Sequence, residues 1–466
     1  MVALPSGGTA LIAGGDTLII HAGQYMIGLG APGADKCSSS WPWECSMRAV
    51  PSGLDAARPT RILGEGYASS CAAPPQLWGT QRVANVLNLT GSSNVEVSCL
   101  EITDRSACVE SHSGSLKCNR DTYPYGEWAS VGVYASDSSN VQLKDLNVHG
   151  LANRGIMAGR LKDWTVTNVR IAANGWAGWE GDIGTDSANT GTMRFSKLLV
   201  EWNGCGETYP GGQPTGCWAQ TAGGYGDGFA AGTTGGDWVF EDSSFRFNTS
   251  DGVDMLYHRL GGTVTLNRVW AEGNAGNQLK VFGKSSITNS VVVGTCGFFN
   301  GKSFTYQVDN CRAAGDTLVL AAATSSDTML AVNNTIVSEG NVALLTGGPS
   351  GSVLRMRNNI LVGLPFFISP GQPSADTYDD GGAVTIDETY SIKQNLRNAK
   401  CSTPNTVCTA NAGLTSATRT LVDPKLTATS PARDSGLAAG GIVPAIDFYS
   451  KPRPAASGVA RGAVEF

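Results

Sequence analysis

The chain is poor in charge and in histidine: of its 466 residues 15% are charged, and histidine occurs only as His21, His112, His149 and His258. A net charge of -6 leaves no basic surplus, so the electrostatic footprint of a nucleic-acid binder is missing. No apolar run approaches the roughly eighteen residues of a membrane-spanning helix. Stretches with helical periodicity are few, which argues against a helical or doubly wound protein. No cysteines show the C-x-x-C spacing of a zinc site, and scarce histidine weakens that reading further. G-x-S-x-G and H-E-x-x-H are absent. Gly28 to Gly33 does match G-x-G-x-x-G, but no strand–helix–strand unit surrounds it, and a dinucleotide site is rejected.

What is present is glycine, cysteine and a repeat. Sixty glycines follow no collagen period, and 41% hydrophobic content is ample for a core. The twelve cysteines fall into close-set pairs: Cys37 and Cys45, Cys71 and Cys99, Cys108 and Cys118, Cys205 and Cys217, Cys296 and Cys311, Cys401 and Cys408. An even count in local pairs predicts disulfides and an oxidising compartment, with nearest neighbours as the expected pairing. The opening Met-Val-Ala-Leu-Pro has neither basic n-region nor apolar h-region. The expectation is a mature secreted (extracellular) bacterial protein without its export signal.

From Val86 onward, segments such as VLNLTGSSNVEVSCLEITD and, from Val131, VGVYASDSSNVQLKDLNVHG echo one another, and the unit length is about 22 to 25 residues where no loop intervenes. Each holds two or three short β-branched or alternating runs split by Gly, Asn, Asp or Ser, without consistent hairpin dipeptides. This pattern predicts an all-β chain, a right-handed parallel β-helix, with one strand per rung in each of several sheets. The expected organisation is one domain over 1–466. It has an N-terminal cap and first coil at 1–35, a main solenoid at 84–395 and a C-terminal wrap at 396–466. Interruptions at 31–82, 104–127, 203–224, 300–315 and 396–415 all carry cysteines and are expected to be pinned loops. Asn174, Asn203, Asn248 and Asn274 end similar strands and read as turn-stabilising asparagines.

The chemistry concentrates between Tyr225 and Gly283. Asp227-Gly228 and Asp251-Gly252 lie about 24 residues apart, and Ala275-Gly276 falls about 24 further on. Alternation in Val253-Asp254-Met255 points Val253 and Met255 inward and Asp254 outward. One rung on, Asn277, Leu279 and Val281 map inward, while Gln278 and Lys280 map outward. Asp254 and Lys280 therefore share an outer face. Asp-Gly is also ordinary turn chemistry. Three acids beside a lysine, however, suit a hard cation, since calcium takes six to eight oxygens at about 2.3–2.6 Å.

This segment resembles polysaccharide lyase family 9, the β-helix pectate lyases. There an A-D-G-F turn, an S-D-D-G-x-D turn and a G-N-G-F-K strand occur in the same order. They match Gly226 to Phe229, Ser250 to Asp254, and Gly276 to Lys280, within about sixty residues. The resemblance implies Asp227, Asp251 and Asp254 as calcium ligands and Lys280 as catalytic base, in a β-elimination on an acidic, uronate-containing polysaccharide such as pectate. One position departs: the family's two adjacent acids are Ser250-Asp251 here, so one carboxylate is lost. A monomer with no nucleic-acid or membrane partner is expected.

Arg246 and Arg259 are candidates to pair with substrate carboxylates. Trp218 and Tyr225, with Trp202 and Tyr209, either stack on sugar faces or pack a loop. Glu180, Asp182 and Asp186 are candidates for the missing ligand or solvated loop acids. Two other readings stay open, an inverting glycoside hydrolase on the same fold and a non-catalytic carbohydrate-binding or surface solenoid.

Overall fold

The computed structural model describes all residues except 1–2, 7–8, 35–36, 113–117, 119–127, 185–186, 210, 220–224 and 456–457. The chain is a right-handed parallel β-helix. Its contacts gather into two compact units, Met1–Gly236 with Gly301–Val308, and Asp237–Asn300 with Asp309–Phe466.

In the first unit, Thr17–Ile20 pairs parallel with Thr60–Gly64. That strand pairs with Ser93–Thr103, then come Ser139–His149 and Thr165–Ala172. A second column runs Val83–Asn88, Ala129–Ser136, Arg154–Gly159, Ala177–Glu180, Phe229–Ala230. Trp164, Trp179, Phe195 and Phe229 fill the interior with rings 5.2 to 6.1 Å apart. The interval 31–82, expected as an interruption, also carries the rung strands Thr60–Gly64 and Gln76–Gly79. Their runs are short and sit among prolines and glycines, which hid the repeat.

The second unit has three parallel columns. One contains Asp237–Glu241, Val264–Asn267, Ser285–Thr288 and Thr328–Val332. Another contains Ser244–Arg246, Trp270–Glu272, Val291–Gly294 and Thr335–Ser338. The third contains Val253–Met255, Leu279–Phe282, Leu318–Ala321 and Val342–Gly347. Val264, Leu266, Ile287, Leu318 and Leu320 line its interior, fully buried.

The turns are tied by asparagine ladders inside each unit. Asn203 Oδ1 accepts from both the Asn174 backbone N–H and Asn174 Nδ2, and Asn274 Oδ1 does the same for Asn248. All four are fully buried, so a short amide side chain satisfies backbone groups that a turn would otherwise leave without partners. The expected structural role of these asparagines holds.

All six neighbouring cysteine pairs are disulfides. Within the Cys205–Cys217 loop, Gly206–Thr208 and Gln213–Thr215 form an antiparallel hairpin. The buried Glu207 fastens it, its Oε1 lying 2.5 Å from His149 Nδ1, while His149 Nε2 lies 2.8 Å from Glu101 Oε1. At the C-terminus Ala460, Ala463 and Val464 are buried, and the buried Arg453 guanidinium donates to Asn289 Oδ1 at 3.0 Å. Among the described residues no helix is long and apolar enough to cross a membrane.

Candidate functional site

The candidate site grows out of two adjacent rungs of the second unit. Ser250-Asp251-Gly252 turns into the strand Val253–Met255, and Ala275 to Gln278 turns into Leu279–Phe282. The strands run parallel with Val253 opposite Leu279, Asp254 opposite Lys280 and Met255 opposite Val281. Val253, Met255, Leu279 and Val281 are buried. Alternation therefore sends Asp254 and Lys280 to the outer face, one strand spacing apart. Gln278 differs from expectation: it is fully buried, and its Oε1 accepts from the Asn274 backbone N–H and Asn274 Nδ2. The residue precedes the strand, where turn geometry and not the pleat sets direction.

Lys280 Nζ donates to Asp254 Oδ2 at 2.9 Å and to Asp251 Oδ2 at 3.2 Å. The remaining carboxylate oxygens are held by backbone. Asp251 Oδ1 accepts from the Asn277 N–H at 2.6 Å, and Asp254 Oδ1 from the Leu256 N–H at 2.8 Å. Gly276 is required here, because a Cβ on it would stand 2.1 Å from Asp251 Oδ1. Burial, then the negative charge of Asp251, push the Asp254 carboxyl above the usual carboxylate range, against the pull of Lys280. Two preorganised carboxylates thus share one ammonium, and the arrangement calls for positive charge.

A hard divalent cation fits this donor set, since Asp251 and Asp254 offer only oxygens and each carries a fixed orientation. A thiolate metal centre has no such support. The one group of three His, Cys, Asp or Glu ligand atoms within 4.8 Å of one another among the described residues is Cys296, Cys311 and Glu339, and both sulfurs are in a disulfide.

Asp227 belongs to the first unit. It is buried at the turn before Phe229–Ala230, and its backbone carbonyl accepts from the Gly178 N–H at 3.1 Å. Tyr225, in the same unit, packs edge-on against Trp176 with ring centroids 3.8 Å apart. Trp218 lies on Cys217–Trp218, which pairs parallel with Thr305–Gln307, and Trp202 meets Phe304 edge-on. Tyr209 Oη accepts from Gln76 Nε2. Tyr225 and Trp202 therefore have ring partners within the unit. Glu180 faces Arg154 at 3.9 Å and accepts from the Asp182 N–H. Asp186 lies outside the described residues.

In the second unit, Arg246 Nε donates to Ser244 Oγ at 2.5 Å and its guanidinium lies over Trp270. Arg259 is exposed and lies 4.6 Å over the ring of Phe282, the last residue of the Lys280 strand. The buried Ser250 holds a residue that sequence reasoning missed: Arg312 NH1 donates to Ser250 Oγ at 2.6 Å. Arg312 sits in a segment expected only as a pinned loop. A basic residue beside Cys311 was its one sequence signal.

No family model matches the chain, and no curated protein matches it. Among solved structures it is similar to the pectate lyase Pel9A, at 14% identity and a TM-score of 0.44, over 96% of this chain and 97% of that one. It is similar to an alginate lyase from Paenibacillus sp. str. FPU-7, at 13% identity and a TM-score of 0.39, over 81% and 92%. It is also similar to the A-module of a mannuronan C-5 epimerase from Azotobacter vinelandii, at 13% identity and a TM-score of 0.36, over 85% and 91%. Likeness at this level carries no inference about chemistry, which has to be read from the side chains.

Proposed function

We propose that the chain is a secreted polysaccharide lyase that cleaves an acidic, uronate-containing, pectate-like polysaccharide by β-elimination, with Lys280 as base. One observation carries this reading: a lysine on the outer face of a parallel stack, its ammonium held 2.9 and 3.2 Å from two oriented carboxylates. Six disulfides support an oxidising, extracellular setting.

Elimination from a 4-linked uronate removes the proton at C5. The C5–H electron pair becomes the C4=C5 double bond, the C4–O bond breaks, and the departing sugar oxygen takes a proton from solvent. Lys280 supplies the amine that accepts the C5 proton; because Asp251 and Asp254 favour its ammonium form, it first gives a proton to solvent and acts from the neutral fraction, which grows toward alkaline pH. Asp251 and Asp254 fix where that amine stands. Calcium held by Asp251 and Asp254 would supply charge withdrawal from the uronate carboxylate. The ligand role expected of Asp227 is carried as part of this proposal.

Both Oδ2 atoms lie close to one nitrogen, so they are nearer than about 6.5 Å, too close for the carboxyl pair of an inverting hydrolase. The deciding experiment is a panel of acidic glycans with and without calcium, read by ultraviolet absorbance of unsaturated product. New reducing ends without that absorbance would turn the reading to hydrolysis, and neither signal to a non-catalytic solenoid. Calorimetric titration with calcium is expected to show binding to the wild type, lost in Asp251→Ala and weakened in Asp227→Ala. Equal isotherms would remove the metal.

A further inference from the structure

Among the described residues, Arg312 is a cation without an acid. Its guanidinium reaches Ser250 Oγ, and among the described residues no carboxylate stands within ion-pair distance of it. Lys280 differs, since Asp251 and Asp254 both hold it. A half-buried guanidinium with no counter-charge among the described residues suits an anionic ligand.

Its placement is built. Cys311, immediately before it, adopts a left-handed conformation at φ 56° and is tied by disulfide to Cys296. The Arg312 N–H donates to the Ala275 carbonyl at 3.0 Å, and Ala275 precedes the glycine that cradles Asp251. Backbone, disulfide and Ser250 hydroxyl therefore aim one guanidinium at the turn carrying Asp251. Ser250 is also the position at which the resembling turn carries its additional acid. An acid has gone and a guanidinium stands there, which reverses the sign of charge offered at that point.

We infer that Arg312 is a substrate-anchoring and specificity-determining residue, whose guanidinium binds the free carboxylate of a uronate unit. Arginine suits the task because its planar donors match a carboxylate in a fork that lysine cannot reproduce. The site then selects free acid over methyl ester, because esterification removes the charge and one acceptor. This deepens the lyase reading and rests on it for the polymer's identity.

Calorimetry with tri-galacturonate and with its methyl ester, on the wild type, Arg312→Gln and Arg312→Lys, tests the inference. Wild type is expected to bind the free acid at least about tenfold more tightly than Arg312→Gln, since a hydrogen bond to a charged group is worth that much or more. The ester should bind both proteins equally weakly, and Arg312→Lys should fall between. If Arg312→Gln fails to fold, the acid-to-ester ratio of wild type against Arg312→Lys decides. Equal affinity in wild type and variant, or a wild type that does not prefer the acid, overturns the inference. Arginine-dependent binding of the acid with no unsaturated product would sink the lyase reading and leave the anchor standing.

Discussion

Two lysines of the second unit sit between two carboxylates, and they differ in one respect. Lys280 lies 2.9 and 3.2 Å from Asp254 and Asp251, with side-chain exposures of 20%, 15% and 5%. Lys393 lies 2.7 Å from both Asp376 and Glu388, with exposures of 1%, 2% and 3%. Lys393 Nζ also donates to the Lys400 carbonyl, and the Lys400 N–H donates to Asp376 Oδ2, so the following loop closes over that cluster. All three ammonium protons of Lys393 are used inside the protein. The Lys280 cluster is the more exposed of the two, 20% at its lysine against 1% at Lys393. A lysine between two acids is a bolt in one place and a candidate site in the other, and exposure is what most separates them.

The sharpest way to break this comparison is to remove each ammonium. Lys280→Ala is expected to lower turnover by about 10²–10⁴-fold, the usual share of a general base, with little change in melting temperature. A Lys280→Ala protein that keeps a substantial share of wild-type rate would move the search for a base to Arg259 or to the buried His258. Lys393→Met is expected to do the reverse. Leaving Asp376 and Glu388 buried without a cation should cost roughly 3–5 kcal/mol in urea unfolding, while turnover per folded molecule stays unchanged. Loss of activity at full stability would show that the buried cluster communicates with the site.

A third cluster sharpens the comparison by replacing lysine with a group that titrates nearer neutrality. Burial lowers the pKa of His149, but its hydrogen bonds to Glu101 and Glu207 outweigh burial and raise it from 6.5 to about 9. Asp104 and Arg105 lie close enough to add charge to the pair of acids. Because the folded value is the higher one, the histidinium contributes its full stability below about pH 6.5 and loses it as pH rises through about 9. The effect should be on the order of 3 kcal/mol. Urea midpoints across that window should fall for the wild type and stay flat for His149→Gln. A flat wild-type profile would mean that the Cys205–Cys217 loop does not depend on this pair. The smallest effect concerns thiols: titration of denatured, unreduced protein should find almost none, and four or more would overturn the disulfide pairing.

Much of this was legible, and the boundary is physical. Alternation placed Val253 and Met255 inside and Asp254 outside, because a strand has only two faces. The same spacing put Lys280 beside Asp254, because rungs of nearly constant length stack in register. Gln278 was misplaced because it stands one residue before the strand begins. Lys393 also follows the rule, next to the buried Ile392 on its strand. Alternation says which face a residue takes and nothing about what later covers that face, so its burial could not be foreseen. Arg312 was invisible for a related reason. Its position depends on a disulfide and a backbone bond to Ala275, contacts that link segments with no common period.

The strict pairing of Asp254 with Lys280 bears on how such a site can change over time. Deleting or inserting one residue ahead of Val253–Met255 would turn Asp254 into an interior packed with Val264 and Leu279, and Val253 out toward water. Small displacements are therefore not accessible to point insertions within the rung. The charge at each outer position can vary only by substitution. Length can vary only in the turns, where the cysteine-bearing loops stand. Lineages of this chain should differ by residue identity on the rungs and by residue number between them.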